Sequence, residues 1–358
     1  MTDPLYFPRT ALAQTLIDSL QSGITHAFTL FAPRRMGKTQ FLIKDIIPKA
    51  EAAGFNVFYF SFMEGSGKDF HQTLFSFAQN VQTARKAKTF ISDITKLEIL
   101  GVSIEREKQS QDEILPLFSQ IIGAIAQNRQ PTLLLLDEVQ ELARQKDNDG
   151  LIRSLRTGLD IHQNKVKAIF TGSSTNGLRA MFNDNKAPFF HFSHVLNFPT
   201  LEREFTDFLA GVYQQRTGRE LDTAELYAAF ERLNKIPLYM RAMLQDMIIN
   251  PDLQIEQALA ARLEQMHENA DYRQQWHEMS ALDRLILETI ANGGGALYSN
   301  ETRQALTAKL GTGEPLKTST VQSRIRRLTQ QEIITSYGGG NFTISSPMFK
   351  KWIIENIG

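Results

Sequence analysis

A short loop between two regular segments constrains this chain more than any other stretch of its sequence. The loop Ala32–Thr39 reads Ala-Pro-Arg-Arg-Met-Gly-Lys-Thr. The apolar run His26–Phe31 before it predicts a buried β-strand, and the run Gln40–Ile47 after it has the periodicity of a helix. A strand, a loop that ends in Gly-Lys-Thr and a helix, in that order, are typical of a phosphate-binding loop, or P-loop.

The residue types in this loop suit the binding of a nucleoside triphosphate. Backbone N–H groups of such a loop point toward the β-phosphate, and the N-terminus of the helix adds a partial positive charge. Lys38 can reach the β- and γ-phosphates, and the hydroxyl of Thr39 can ligate Mg²⁺. We assign to the nucleotide Ala32, Arg34, Arg35, Met36, Gly37, Lys38, Thr39 and Gln40. The alternative is a chance Gly-Lys-Thr in a solvated turn, which the flanking strand and helix argue against.

The loop departs from the usual pattern at its first position, where Ala32 replaces a glycine. Alanine is small enough for the close approach of a backbone, but it would be strained if the position required a positive φ. Nucleotide binding with little hydrolysis is therefore one open alternative. Arg34 and Arg35 leave another choice open, because they can face phosphate, a neighbouring subunit or solvent.

A second chemical signal follows the most apolar run of the chain. Thr132–Leu136 predicts a central parallel strand, because a strand that is covered on both faces is continuously apolar. Asp137 and Glu138 end this run, at the Walker B position of a P-loop enzyme. We expect Asp137 to hold Mg²⁺ together with Thr39, and Glu138 to orient or deprotonate the attacking water. The alternative for the Asp-Glu pair is an ordinary turn at the end of a strand.

A polar residue also follows the neighbouring predicted strand, Lys165–Thr171. Ser173 can sense the γ-phosphate or the attacking water, or it can cap the next helix, and the sequence leaves both alternatives open. We group it with Lys38 and Glu138 as a candidate catalytic residue. Because strands and helices alternate up to Pro199, we predict an α/β fold, with a doubly wound parallel sheet and the loop at the carboxyl edge of its strands.

The rest of the chain predicts two smaller domains. Helical patterns without strands follow Pro199, and further on three helices precede two strands around a glycine-rich turn, which is the element order of a winged helix. The chain has 358 residues and can therefore bury more than one core. We predict a P-loop NTPase core over residues 1–200, an all-helical lid over 201–276 and a winged-helix domain over 277–358.

The third helix of the predicted winged helix has one apolar and one polar face. Val321, Ile325 and Leu328 are spaced by four and three residues and should face the core. The other face suits contacts with phosphates and base edges of double-stranded DNA. Its candidates are Thr320, Gln322, Ser323, Arg324, Arg326 and Arg327. Acidic residues lie nearby, so a surface for protein contacts is the alternative.

Composition excludes several classes of protein. The chain has no cysteine, which rules out a disulfide framework, a thiolate zinc site and a cysteine nucleophile. Basic and acidic residues both number 39, so a DNA contact would have to come from a local patch. The N-terminus lacks the features of a signal peptide, and the apolar run Leu133–Leu136 is far too short to span a bilayer. We expect a cytoplasmic protein without a membrane partner.

These segments together resemble the archaeal-type P-loop ATPase family, which is grouped with the STAND and AAA+ ATPases. Ala32–Thr39 is similar to the family's Gly-Pro-Arg-Arg-x-Gly-Lys-Thr loop, Leu136–Gln140 to its Walker B segment with a trailing Gln, and Ala168–Ser174 to its sensor strand. The similarity covers nearly the whole chain. It implies ATP and Mg²⁺ as ligands, and either ATP-driven switching or DNA transactions.

The resemblance also implies two contacts with the base of the nucleotide. Lys235–Tyr239 resembles the family's Gly-x-Pro lid motif, with Lys235 in place of the glycine, and its Pro237 would pack near adenine. Phe7-Pro8-Arg9 resembles an N-terminal Phe-x-Arg that lies beside the base, which implies Arg9. The leading expectation is a DNA-associated ATPase. The alternatives are a signal-transducing STAND-type NTPase whose winged helix makes protein contacts, and a nucleotide-binding scaffold that barely hydrolyses. The partners left open are another protein and further copies of this chain in a homo-oligomer.

Overall fold

A parallel β-sheet carries the P-loop in the computed structural model of the chain. The structure describes residues 3–83, 90–91, 115–144, 148–173, 181–182, 189, 191–268, 272–294, 296–311, 314–338 and 341–357. The chain divides into two units, Met1–Ile255 and Glu256–Gly358. Among the described residues, every helix is too short or too polar to cross a bilayer.

The described part of the first unit contains six strands in one sheet. They are β1 (Ala27–Phe31), β2 (Asn56–Ser61), β3 (Phe90–Ile91), β4 (Thr132–Asp137), β5 (Val166–Gly172) and β6 (His194–Asn197). Their order across the sheet is β3-β2-β4-β5-β1-β6, and all neighbouring strands run parallel. The predicted α/β core is therefore confirmed. The P-loop follows β1, the Asp-Glu pair ends β4, and β5 lies between these two strands.

Continuous apolar sequence explains why β4 lies in the middle of the sheet. All six of its residues are buried. Leu134 and Leu136 pack into the core on one face of the sheet, whereas Leu133 and Leu135 pack into the core on the other face. Successive side chains of a strand point to opposite faces, so a strand with helices on both sides must be apolar at every position.

Helices cover both faces of this sheet. In the described part of the first unit, the helices before residue 200 are Thr10–Gln21, Lys38–Phe41, Ile47–Ala52, Gly67–Thr83, Phe118–Ala126, Gln140–Arg144 and Asp149–Ile161. The helix that follows the P-loop contains a π-helical turn, Leu42–Ile46, just before Pro48. Proline lacks the N–H that an α-helix needs at this point, so a local change in hydrogen bonding is expected beside it.

The predicted lid differs from the structure at its C-terminal boundary. Three of its helices, Arg203–Thr217, Thr223–Arg232 and Pro237–Ile249, belong to the first unit. Residues 256–276 fall in the second unit. Aromatic packing accounts for the last of these residues, because the ring of Tyr272 stacks on that of Phe349 at 5.0 Å and Trp276 belongs to the same core. The division into three domains otherwise stays a prediction.

The second unit contains the predicted succession of three helices and two strands. Ala281–Ala291, Asn300–Leu310 and Thr318–Gln330 precede β7 (Ile334–Gly338) and β8 (Asn341–Ile344), which pair antiparallel. A last helix, Pro347–Asn356, follows. Val321, Ile325 and Leu328 are buried together in the core, as their spacing predicts.

Candidate functional site

The P-loop surrounds the amine of Lys38. This side chain is only 4% exposed, and Nζ donates hydrogen bonds to the carbonyl oxygens of Ala32 (2.8 Å) and Pro33 (3.1 Å). Gly37 begins the helix with a φ of +88°, a backbone conformation that glycine adopts readily. Arg35 has a φ of +71°, which is uncommon for any other residue. Left-handed residues of this kind occur in the backbone concavities that bind anions.

Ala32 does not carry the strain that would follow from a positive φ at the missing glycine. Its φ is not positive, and its side chain is buried. Its carbonyl oxygen accepts the Lys38 amine. Alanine therefore fits this position, and the left-handed conformation of the loop falls on Arg35 and Gly37 instead.

Asp137 joins the Walker B strand to the P-loop helix. Thr39 Oγ1 donates to Asp137 Oδ2 at 2.6 Å, and the Tyr59 hydroxyl donates to the same oxygen at 3.2 Å. Thr171 Oγ1 donates to Asp137 Oδ1. Burial raises the pKa of Asp137, although the hydrogen bonds from Thr171 and Thr39 act in the opposite direction. A divalent cation beside this carboxylate would favour its ionised form.

The two carboxylate oxygens of Glu138 have different partners. Oε2 accepts from the Ser173 N–H (3.1 Å), the Ser173 hydroxyl (2.5 Å) and Gln140 Nε2 (2.6 Å). Oε1 lies 3.6 Å from Lys38 Nζ. Burial opposes ionisation, but the Ser173 hydrogen bond and the Lys38 charge outweigh it and hold the pKa of Glu138 below its ordinary value. Glu138 is therefore a carboxylate at neutral pH.

Ser173 contacts Glu138 through both its backbone and its side chain. This contact puts it within the site, where a sensor would have to lie. The alternative, a cap for the next helix, concerns residues 174–180, which lie outside the described part of the chain. The role of Ser173 therefore stays a prediction.

A cavity of about 330 Å³ opens beside the P-loop. The predicted residues that line it are Arg9, Arg34, Arg35, Met36, Gly37, Lys38, Thr39, Gln40, Glu138 and Pro237. Ala32, Asp137 and Ser173 are bonded to this lining through Lys38, Thr39 and Glu138, respectively. The structure thus brings together all residues that the sequence assigns to a nucleotide, a metal ion and catalysis. A cavity of this size is typical of small-molecule sites.

One end of the cavity is apolar, and the sequence pointed to it only through the two segments whose resemblance implies contacts with the base, Phe7–Arg9 and Lys235–Tyr239. Its lining includes Leu5, Phe7, Met63, Leu201, Phe205 and Leu238. Phe7 packs edge-on against Phe205, with ring centres 5.9 Å apart. Leu5 and Phe7 come from the N-terminal segment, Met63 follows β2, and the other three lie between residues 201 and 238. Leu5, Met63, Leu201 and Phe205 belong to no sequence motif. An apolar end next to a polar, basic end suits a ligand with a planar base and phosphates.

Arg9 and Arg241 line the cavity in addition to the P-loop arginines. Arg9 lies over the Phe198 ring at 4.2 Å and donates to the Pro199 carbonyl oxygen at 2.5 Å. Burial lowers the pKa of Arg9 to about 10, so it stays cationic at neutral pH. Arg241 was missed from the sequence. It lies one turn into the helix that begins at Pro237, and it donates to Asp3 Oδ2 at 2.7 Å.

The fold is similar to those of solved protein structures. A Walker-type ATPase of Pyrococcus abyssi matches with a TM-score of 0.60 and 17% identity, over 97% of this chain and 95% of that chain. The ORC2 protein of Aeropyrum pernix in its ADP form matches with a TM-score of 0.56 and 17% identity, over 99% and 95%. No protein-family model and no curated protein matches the sequence. The likeness shows that this chain has the fold of a P-loop ATPase.

The candidate DNA surface lies on the helix Thr318–Gln330 of the second unit. Its exposed candidates are Thr320, Gln322, Ser323, Arg326 and Arg327. Arg324 differs from the prediction, because it is half-buried and its Nη1 lies 3.6 Å from Oδ2 of the buried Asp283. Residue 324 follows Val321 by three positions and so borders the core face of the helix. Part of its charge therefore compensates a buried carboxylate within the unit.

We predict that Arg324→Ala lowers the free energy of unfolding by about 1–2 kcal/mol, because it leaves Asp283 buried without its cation. Chemical denaturation of the full chain, followed by circular dichroism, measures this change. Arg326→Ala removes an exposed arginine of the same helix and is the matched control, with an expected change within about 0.5 kcal/mol. Equal stability of the two variants would contradict a structural role for Arg324.

Proposed function

We propose that this chain is an Mg²⁺-dependent ATPase that works as a switch or motor on double-stranded DNA. The observation that carries the ATPase proposal is the meeting of four side chains at one end of the cavity. Lys38 Nζ lies 3.6 Å from Glu138 Oε1, and Thr39 Oγ1 donates a hydrogen bond to Asp137 Oδ2. Phosphate binding, metal binding and water orientation need these residue types together.

The chemistry of the lining favours one orientation of ATP in the cavity. The triphosphate lies against the P-loop backbone and Lys38, because these groups supply the donors and the positive charge. The adenine lies at the apolar end, between Phe7 and the start of the helix at Pro237. Since the same helix contributes Leu238 and Arg241 to the lining, bound ATP and ADP would contact it differently. Such differential contacts are what a nucleotide-driven switch requires.

The residues at the metal position fit Mg²⁺. The Thr39 hydroxyl and the Asp137 carboxylate adjoin each other at 2.6 Å, and both present oxygen atoms, which this hard cation prefers. Protein sites for Mg²⁺ with ATP commonly supply one or two such ligands and leave the rest to phosphate oxygens and water. The bound ion would neutralise charge that develops on the phosphates.

Glu138 orients the attacking water through Oε1. Its Oε2 already accepts three hydrogen bonds from Ser173 and Gln140, so Oε1 is the oxygen that faces the cavity. A carboxylate with a lowered pKa stays ionised and can accept a hydrogen bond from water, but it is a weak base. We therefore assign it the orientation of water rather than lasting proton storage. Ser173 positions this carboxylate and is available to sense the γ-phosphate.

The second unit supplies the proposed DNA contact through a winged-helix arrangement. Three helices precede the β7–β8 pair, and the third helix presents Arg326 and Arg327 to solvent. Ser319, Thr320, Ser323, Arg324 and Arg327 line one shallow groove on this helix. Hydroxyls and guanidinium groups suit phosphate contacts. If this surface instead binds a protein, the chain is a signal-transducing NTPase.

We expect Glu138→Gln to reduce ATP turnover by about 100-fold or more while ATP still binds, because the amide keeps the shape of the side chain and loses its charge. Phosphate release under saturating ATP measures turnover, and fluorescence of a labelled nucleotide measures binding. Glu51→Gln changes an exposed carboxylate of the same unit and should leave both unchanged.

The outcomes separate the alternatives. Equal turnover by the wild type and Glu138→Gln would refute the assignment of Glu138. A wild type that binds ATP and shows no turnover, with or without DNA, would favour the scaffold.

Arg326→Ala and Arg327→Ala should each weaken binding to duplex DNA, because each removes one contact with a phosphate. Each should also reduce the slope of log K against log salt concentration by about one. Fluorescence anisotropy with a labelled duplex at several salt concentrations measures both effects. Arg216→Ala removes an exposed arginine from the first unit and serves as the control for loss of one charge. An absence of binding at low salt, with and without ATP, would favour the protein-binding alternative.

A further inference from the structure

Thr171 anchors the corner that follows the Walker B strand, although it lies on the neighbouring strand β5. It is 0% exposed. Val139 N–H donates to the Thr171 carbonyl oxygen at 3.0 Å, and Glu138 N–H donates to Thr171 Oγ1 at 3.1 Å. The same hydroxyl donates its hydrogen to Asp137 Oδ1. The consecutive residues Asp137, Glu138 and Val139 are therefore all hydrogen-bonded to Thr171.

The direction of these hydrogen bonds is determined by chemistry. A threonine hydroxyl has one hydrogen to donate and lone pairs to accept with. Because the Glu138 N–H can only donate, it occupies a lone pair of Thr171 Oγ1. The hydroxyl hydrogen is then available for Asp137, which it meets at Oδ1. Thr171 is also β-branched, so few side-chain rotamers are open to it within a strand.

The backbone at Glu138 shows what this anchor maintains. Glu138 has a φ of +54°, in the left-handed region that residues other than glycine rarely adopt. Such a conformation persists where surrounding contacts hold it. Here the hydrogen bonds to Thr171 hold the peptide groups on both sides of Glu138. The turn directs the Glu138 side chain toward Ser173 and Lys38.

The hydrogen bond from Thr171 matters more for the position of Asp137 once a cation is bound. Thr39 Oγ1 now donates to Asp137 Oδ2, but a hydroxyl that ligates a cation must direct a lone pair toward it. The contacts of Asp137 with Tyr59 and Thr171 involve no metal-ligating hydroxyl and can persist. Thr171 then holds the Asp137 oxygen that lies away from Thr39.

We propose that Thr171 is a positioning residue whose single hydroxyl sets both the metal-ligating carboxylate of Asp137 and the backbone of the water-orienting Glu138. This inference rests on the proposed ATPase function. It assigns to one residue an effect on both metal binding and the orientation of water. Its consequence is specific. Loss of the hydroxyl impairs metal dependence and turnover together, whereas a change at Glu138 alone affects turnover.

The test is Thr171→Val, which nearly preserves the shape of the side chain and removes its hydroxyl. We expect turnover to fall by about 10–100-fold, as for other groups that orient metal ligands, and the Mg²⁺ concentration for half-maximal turnover to rise. Calorimetry gives a readout that is independent of turnover. The gain in affinity for a non-hydrolysable ATP analogue on addition of Mg²⁺ should shrink, while the affinity without Mg²⁺ changes little.

Two further variants separate positioning from packing. Thr171→Ser keeps the hydroxyl and should restore most of the Mg²⁺ effect and turnover. Thr132→Val is the matched control, because Thr132 is buried at the start of β4 and its hydroxyl has no hydrogen-bond partner among the described residues. It should behave as the wild type. If Thr171→Val does not fold, Thr171→Ala and Thr171→Ser replace it as a pair that differs only in the hydroxyl.

The inference is overturned if the variant without the hydroxyl keeps wild-type turnover and Mg²⁺ dependence. It is also overturned if the serine variant is as impaired as the hydroxyl-free one, since the effect would then come from packing. These results differ from a failure of the proposed function, in which the wild type itself neither binds nor hydrolyses ATP.

Discussion

The hydrogen bond between Thr39 and the buried Asp137 is the contact on which the site depends. A carboxylate that is 1% exposed is costly to bury unless donors surround it, and hydroxyls of Thr39, Tyr59 and Thr171 do so here. These donors come from the P-loop helix and from the strands on both sides of β4. The carboxylate therefore ties together the parts of the sheet edge at which phosphate, metal and water would meet.

The sequence predicted those parts of the fold that depend on residues close together in the chain. Loop chemistry around Gly37 revealed the P-loop, and the apolar run before Asp137 revealed the central strand. Helical spacing also identified the buried face of the helix Thr318–Gln330. The inward contact of Arg324 could not be predicted, because it depends on the buried Asp283 of another helix. Thr171 was missed for the same reason, since a lone threonine in an apolar strand does not show which groups it bonds.

The apolar end of the cavity follows mainly from packing, because only Phe7 and Leu238 of its apolar lining lie in segments that resemble a family motif. Leu5 and Phe7 meet residues of the lid helices there, and the same N-terminal segment carries Asp3, which accepts from Lys44 (3.1 Å) and Arg241 (2.7 Å). Ion pairs this exposed contribute at most about 1 kcal/mol, so the apolar contacts hold the cavity wall in place. Because this wall and the P-loop face one space, a nucleotide would contact both at once.

Isothermal titration calorimetry with a non-hydrolysable ATP analogue, with and without Mg²⁺, tests the central claim most directly. The contact between Thr39 and Asp137 predicts one binding site per chain and a higher affinity with Mg²⁺. Thr39→Val should abolish this gain and leave binding without Mg²⁺ nearly unchanged. A wild-type chain that releases no heat with the analogue, or that binds it equally well with and without Mg²⁺, would contradict the account.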